Sequence, residues 1–378
     1  MGAFRVSEAV TADAVRAIAR ACGAGAVRIT AADPDAATRA RMRAALARGD
    51  LATWSYDDAY AGAASDPSTI LAGARSVVCI AVPYATPVPS ERRDRGRVSA
   101  YAWSPDYHRR MQTLLREIAA RIDALAGAPV TRVACDTAPL AERAFAARAG
   151  LGWIGKHTSL IVKGLGSAVF LGEVVTTLDL EPDRALRTSC GACRACVDVC
   201  PTGALRGDRT MNAERCISDL TQRRDAIPRA LRPLIGTWVW GCDLCNDACP
   251  PSQQAGRAGD GACRPLEDEL AAPDLQALLR VRGAAFRRVR RTAMGWRGAP
   301  VLRRNAAVAL GNSLDRADVP ALAAALSDDR SPLVRGHAAW ALGRIGSPQA
   351  LRALRAALGD ADAWVREEVS AALEPIAP

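Results

Sequence analysis

Eight of the twelve cysteines in this 378-residue chain fall between Cys190 and Cys249, and their spacing constrains the fold more than any other feature. Cys190-Gly-Ala-Cys193-Arg-Ala-Cys196-Val-Asp-Val-Cys200-Pro201 reads C-x2-C-x2-C-x3-C-P, the run of bacterial ferredoxins. Three thiolates at this spacing wrap three corners of a [4Fe–4S] cubane, and the fourth is directed at a second cluster. Cys242-Asp-Leu-Cys245-Asn-Asp-Ala-Cys249-Pro250 supplies the second set, but the leading position expected at 239 is Val239. The isolated Cys216 is the natural replacement. Crossed ligation then gives Cys190, Cys193, Cys196 and Cys249 to one cluster, and Cys200, Cys216, Cys242 and Cys245 to the other. A zinc site is the alternative, and it explains this spacing poorly. Residues 183–265 are rich in Cys, Gly and Pro, so metal rather than a core must hold them.

The flanks are ordinary protein. Apolar residues make up 49% of the chain and charged ones 24%, which excludes wholesale disorder. Residues 1–182 predict a mixed α/β domain: helices over 11–22, 105–125 and 140–149, a buried strand over 76–82, and strands over 129–135, 159–162 and 168–171. Residues 266–378 repeat. Val301-Leu-Arg-Arg-Asn-Ala-Ala-Val-Ala-Leu-Gly311 aligns with Leu333-Val-Arg-Gly-His-Ala-Ala-Trp-Ala-Leu-Gly343, pairing Arg303 with Arg335, and the same offset pairs Asp328 with Asp360. This is the pattern of HEAT-type helix pairs. The expected class is therefore an α+β multidomain protein: an N-terminal α/β domain, a ferredoxin-like domain with two clusters, and a helical repeat domain. Cys22, Cys79, Cys135 and Cys263 read as small apolar core residues.

No apolar run is long enough to span a bilayer, and the first thirty residues carry no export signal. These readings predict a cytoplasmic protein. Net charge is +10. Nine arginines (280, 282, 287, 288, 290, 291, 297, 303 and 304) stand between Leu275 and Asn305 with no acidic residue among them. An unmixed arginine stretch beside Phe286 and Trp296 reads as a contact for nucleic-acid phosphates. Arg287, Arg288, Arg290, Arg291, Arg303 and Arg304 are its candidate residues.

Asp136 follows a predicted strand and precedes a predicted helix. It is a candidate for acid–base chemistry or a helix cap. Asp136-Thr-Ala-Pro-Leu-Ala-Glu-Arg143, Ala147-Arg-Ala-Gly-Leu-Gly-Trp-Ile-Gly-Lys156, Tyr101-Ala-Trp-Ser-Pro-Asp-Tyr-His108 and Gly166-Ser-Ala-Val-Phe-Leu-Gly-Glu173, with the eight cysteines, resemble the epoxyqueuosine reductase family over nearly the whole chain. That resemblance implies a cobalamin bound beside the nearer cluster and cob(I)alamin-type chemistry. The implied reaction reduces epoxyqueuosine at the tRNA wobble position to queuosine, with Asp136 as proton donor. It further implies an external low-potential electron donor and a monomer. The corrinoid contacts it suggests are Ser99, Tyr101, Asp136, His157, Thr158, Ser159, Gly241 and Asp243. His157 stands where the family usually has Asn, and Ala52–Asp58 departs from the segment expected to help hold the corrinoid. None of His108, His157 and His337 lies in a D-x-H-x-x-G motif, which fits a corrinoid without a protein ligand. The rival readings are a corrinoid reductive dehalogenase and a ferredoxin-like electron-transfer subunit on a HEAT scaffold.

Overall fold

The apolar run Ser76–Pro83 lies at the centre of the N-terminal sheet in a computed structural model that describes residues 10–87, 95–256, 259 and 261–374. The first nine residues of the stretch read for an export signal lie outside these. Ser76–Pro83 pairs with Ala26–Ala31 on one side and Val169–Thr176 on the other, and Thr131–Ala134 closes the sheet. Every neighbouring pair is antiparallel. Alternation sends Val78, Ile80 and Val82 to one face, against Val15 of helix Ala12–Ala21 and Met111, Leu115 and Ile118 of helix Tyr107–Ala126. Val77, Cys79 and Ala81 point the other way, against Phe145 and Ala146 of helix Glu142–Arg148. With both faces covered, the strand must be apolar throughout, which is why its sequence does not alternate.

Two strands of this sheet differ from the sequence reading. The one expected to end at Leu171 continues to Thr176. Gly172 and Glu173 concealed it: a Cβ at Gly172 would come within 2.7 Å of Leu115 Cδ1, and Glu173 is a fully buried acid. Ala26–Ala31 is an additional edge strand, too short and alanine-rich for periodicity to mark.

Beyond this domain the strand Trp238–Trp240 runs parallel to Arg97–Val98, joining the cysteine region to the first domain. The repeats form five helices: Ala299–Ser313, Val319–Asp328, Pro332–Ile345, Pro348–Ala356 and Ala363–Leu373. The repeated glycines are close-approach points. A Cβ at Gly311 would meet Ala341 Cα at 2.8 Å, and one at Gly343 would meet Ala372 Cβ at 2.7 Å. The repeated arginines each form a two-pronged pair, Arg303 with Asp329 (2.7 and 3.0 Å) and Arg335 with Asp360 (2.7 and 2.8 Å). The structural counterpart of Asp360 is therefore Asp329, one residue along from the Asp328 of the sequence alignment, because Arg303 and Asp329 stand 26 residues apart and Arg335 and Asp360 stand 25.

The same geometry corrects the phosphate-contact set. Arg303 is buried in its pair with Asp329. Arg304 is wholly buried, and its guanidinium donates to the carbonyls of Leu220, Thr221, Arg223 and Asp225 and to Asn305 Oδ1. It thereby satisfies the open carbonyls at the end of helix Ile217–Gln222, where a cation also suits the helix dipole. Arg304 bolts the repeats to the cysteine region, Arg303 ties Asp329 and the Val281 carbonyl together within the C-terminal domain, and neither is available to a polyanion. Arg232 does similar work, gripping Glu368 through two bonds of 2.8 Å.

Candidate active site

Asp136 sits just past the strand Thr131–Ala134 with φ at +50°, a left-handed conformation uncommon outside Gly, Asn and Asp. Helix Glu142–Arg148 begins without a side-chain cap, so Asp136 is not serving as its cap. Instead its backbone N–H donates to the Glu142 carboxylate. Its Oδ2 lies 2.8 Å from His108 Nε2, and His108 Nδ1 lies 2.6 Å from Asp106 Oδ1. The Asp136 hydrogen bond, aided by Asp106 and opposed by burial, raises the imidazole to about 9. The reciprocal bond holds Asp136 below the usual carboxylate range. At neutral pH one proton therefore rests on the imidazole between two carboxylates, deliverable through Asp136. The His108 ring stacks on Tyr107 at 4.1 Å, and Tyr107 on Phe170 at 4.4 Å, which fixes its plane.

This arrangement sets a pH dependence. Because the shared proton leaves as pH passes His108's raised value, activity should decline on an alkaline limb near 9. In His108→Asn the proton must sit on Asp136 alone, and the limb should move toward the ordinary carboxylate range, about 4. A pH–rate profile of the variant with its limb unmoved would contradict the pairing.

Behind the couple lie the half-buried Glu142 and the fully buried Glu173. Burial raises Glu142 to about 7. Burial, with the Glu142 charge adding to it, also raises Glu173, neither of whose oxygens has a partner among the described residues. His108, Glu142 and Glu173 were not selected from the sequence as site residues, although each lies inside a segment quoted for the family resemblance. A histidine two residues from Asp106 was the available signal.

The suggested corrinoid contacts fall into two groups. In the first, Ser99 Oγ donates to Asp243 Oδ1 at 2.5 Å and the Ala100 N–H to Asp243 Oδ2 at 2.7 Å. Gly241 has φ +65°, and a Cβ there would come within 2.5 Å of Ser99 Cβ and 3.1 Å of Tyr101 Cε1. Tyr101 accepts from Trp240 Nε1 at 3.0 Å and lies within electrostatic reach of both Asp243 and Asp136. The second group is the turn His157-Thr158-Ser159. There Thr158 has φ +69°, Arg143 donates to its carbonyl at 2.9 Å, and the Ser159 N–H donates to His157 Nδ1 at 3.2 Å. Burial lowers His157 to about 4, so its ring is neutral. Its Nε2 and the Trp153 Nε1 are buried without a partner among the described residues. Such orphaned polar atoms suit a corrin, whose rim carries amide side chains. Lys156, one residue earlier, donates to the carbonyls of Gly191 and Cys193 at 2.8 and 3.0 Å, docking this turn on the first cysteine loop.

The electrostatic neighbours of the thiols largely follow the grouping that crossed ligation expects. Cys196 and Cys249 each feel the charges of Cys190 and Cys193, and Cys196 also feels Cys249. Cys216 feels Cys200, Cys242 and Cys245 both feel Cys216, and Cys245 feels Cys196 as well as Cys200. Burial pushes each of these five thiols up, so their ionised forms need the positive charge of bound iron. Among the described residues no cluster of three or more His, Cys, Asp or Glu side chains is arranged to hold a single metal ion.

The end of the arginine run at Arg291 lies beside the proton couple. The Asp106 N–H donates to Arg291 O at 3.0 Å, and Pro105 bridges to Thr292. Arg287, Arg288, Arg290 and Arg291 are exposed. Arg288 pairs with Glu267 and Glu269, two acids from outside the arginine stretch. Among the described residues no helix is long and apolar enough to cross a membrane.

Three family models match in succession: "Epoxyqueuosine reductase QueG, DUF1730" over 65–137, "4Fe-4S double cluster binding domain" over 189–252, and "HEAT repeats" over 297–374. An epoxyqueuosine reductase of Staphylococcus aureus is 33% identical over 99% of both chains. One of Xanthomonas campestris is 38% identical over 81% of this chain and 88% of its own. A crystal structure of epoxyqueuosine reductase with an epoxyqueuosine-modified tRNA-Tyr stem loop superposes with a TM-score of 0.89 at 31% identity, covering 96% of this chain and 97% of that one.

Proposed function

The chain belongs to the epoxyqueuosine reductase family, and on that premise we propose how its residues perform the reduction of epoxyqueuosine in tRNA to queuosine. The observation that carries the reading is the Asp106–His108–Asp136 couple. It lies where the arginine stretch and the wall containing Ser99, Tyr101 and Asp243 meet.

Converting an epoxide to an alkene breaks two C–O bonds, forms a C=C bond and releases the oxygen as water. It consumes two electrons and two protons. The eight cysteines would hold two [4Fe–4S] clusters, which would supply electrons one at a time from an external low-potential donor. A cobalamin, when bound, supplies the strongly reducing, nucleophilic metal that such a cleavage needs. Ser99, Tyr101, Gly241 and Asp243 would hold it on one side, and His157, Thr158 and Ser159 on the other. Asp136 faces the departing oxygen and passes on the proton that His108 holds, and Glu142 fixes the Asp136 backbone. Residues 1–182 then form the catalytic domain, 183–265 the electron-carrying domain and 266–378 the tRNA-binding domain of a cytoplasmic monomer. Family membership over the full length removes the dehalogenase and electron-carrier alternatives.

Arg287, Arg288, Arg290 and Arg291 would take backbone phosphates, which fix position while loop contacts read identity. Replacing all four by Gln should weaken binding of an epoxyqueuosine-bearing stem loop. It should also reduce the slope of log K against log salt by about 0.7 per lost contact. An unchanged slope would remove these arginines from the interface. Anaerobically purified protein should also take up cobalamin, seen as corrinoid absorption co-eluting with the chain.

A further inference from the structure

Two stretches distant in sequence contribute to one row of rings. Tyr60 stacks on Tyr56 at 4.3 Å, Tyr56 lies parallel to Trp54 at 6.3 Å, and Trp54 stacks on Trp296 at 6.1 Å. Arg297 caps the row, its guanidinium 3.6 Å from the Trp296 ring centre and 5.1 Å from that of Trp54. These rings are not core. Trp54 is 36% exposed, Tyr56 39% and Trp296 50%. An exposed apolar patch built from separate parts of a chain marks a binding surface. Trp54 is held in place from below, its indole N–H donating to Asp219 Oδ1 at 3.0 Å.

Both ends of the row point to its occupant. Tyr60, at one end, is within electrostatic reach of Asp136 and Glu142, so the row starts at the proton couple. At the other end the chain enters the arginine stretch. Arg297 Nε is buried with no hydrogen-bond partner among the described residues, and the charges of Arg224 and Asp219 both bear on it. An unpartnered guanidinium nitrogen beside stacked aromatic rings, with a second arginine within electrostatic reach, calls for an anion carried by something flat. Unpaired nucleotides meet both requirements, since every base has a π-face and every linkage a phosphate.

We infer that Trp54, Tyr56 and Trp296 form a stacking platform for the unpaired anticodon-loop nucleotides flanking the modified one, with Arg297 and Arg224 receiving a phosphate between them. This rests on the tRNA reading above and adds to it the residues that splay the loop open. The platform would hold the neighbours of the wobble nucleotide so that it alone reaches Asp136.

The test uses the full-length protein and a stem loop carrying the fluorescent base 2-aminopurine next to the wobble position. Binding to the wild type should quench the fluorescence, as stacking does. Trp54→Ala and Trp296→Ala should lose the quenching and weaken binding about tenfold or more. Trp54→Phe keeps a ring but not the N–H to Asp219, and should bind and quench as the wild type does. Should the alanine variants quench and bind normally, or Trp54→Phe fail as badly as Trp54→Ala, the platform is refuted while the functional reading stands. A wild type that ignores the stem loop altogether would instead overturn the functional reading.

Discussion

Asp136→Asn should keep its iron and its corrinoid and lose turnover by about 10²- to 10⁴-fold, the range for removing a positioned general acid. The amide is nearly isosteric and can still accept from His108. It cannot pass on a proton, and it leaves the imidazole without the charge that raises it to about 9. Single-turnover reduction of an epoxyqueuosine stem loop measures the rate, and NMR titration of His108 measures the second effect. The histidine should fall toward its ordinary value, about 6.5. Substantial turnover would show that protons reach the epoxide by another route.

Cys249→Ser should abolish turnover and remove the cluster built on Cys190, Cys193 and Cys196, although Cys249 follows closely on Cys242 and Cys245 in sequence. Its thiol lies among the first group, feeling Cys190 and Cys193. Iron analysis with electron paramagnetic resonance should find about four irons per chain and one reduced cluster signal. Adding Cys193→Ser should remove nothing more, whereas adding Cys245→Ser should remove the second signal. If Cys249→Ser and Cys245→Ser instead deplete the same signal, crossed ligation is wrong.

The cysteine framework, the repeats and the central strand were legible because each obeys a local rule. Cubane corners impose short fixed spacings, helix pairs impose a repeat, and a strand covered on both faces is apolar throughout. Residues whose roles depend on distant partners were not legible. Arg303 and Arg304 sit in an arginine-rich stretch that reads as a polyanion contact, yet their partners, Asp329 for one and the carbonyls of 220–225 for the other, are brought to them only by the fold. Composition counts charges without saying which are already neutralised. Asp136 was found from its place after a strand, but His108 lies 28 residues away and meets it only across the domain. The strand through Glu173 reads as ending at Leu171 because a buried, unpaired acid breaks the apolar pattern that marks strands. Such a break is itself a sign of chemistry, since burying an acid without a partner is costly.

The central claim is that this chain removes the epoxide oxygen using its own clusters and a corrin. The most direct test incubates anaerobic, reconstituted protein with an epoxyqueuosine-bearing stem loop, a low-potential reductant and cobalamin, followed by mass spectrometry of the nucleosides. The account predicts queuosine, one oxygen lighter than the substrate, formed only when iron and cobalamin are both present. Queuosine formed equally well without cobalamin, or epoxyqueuosine left intact with every component present, would contradict it.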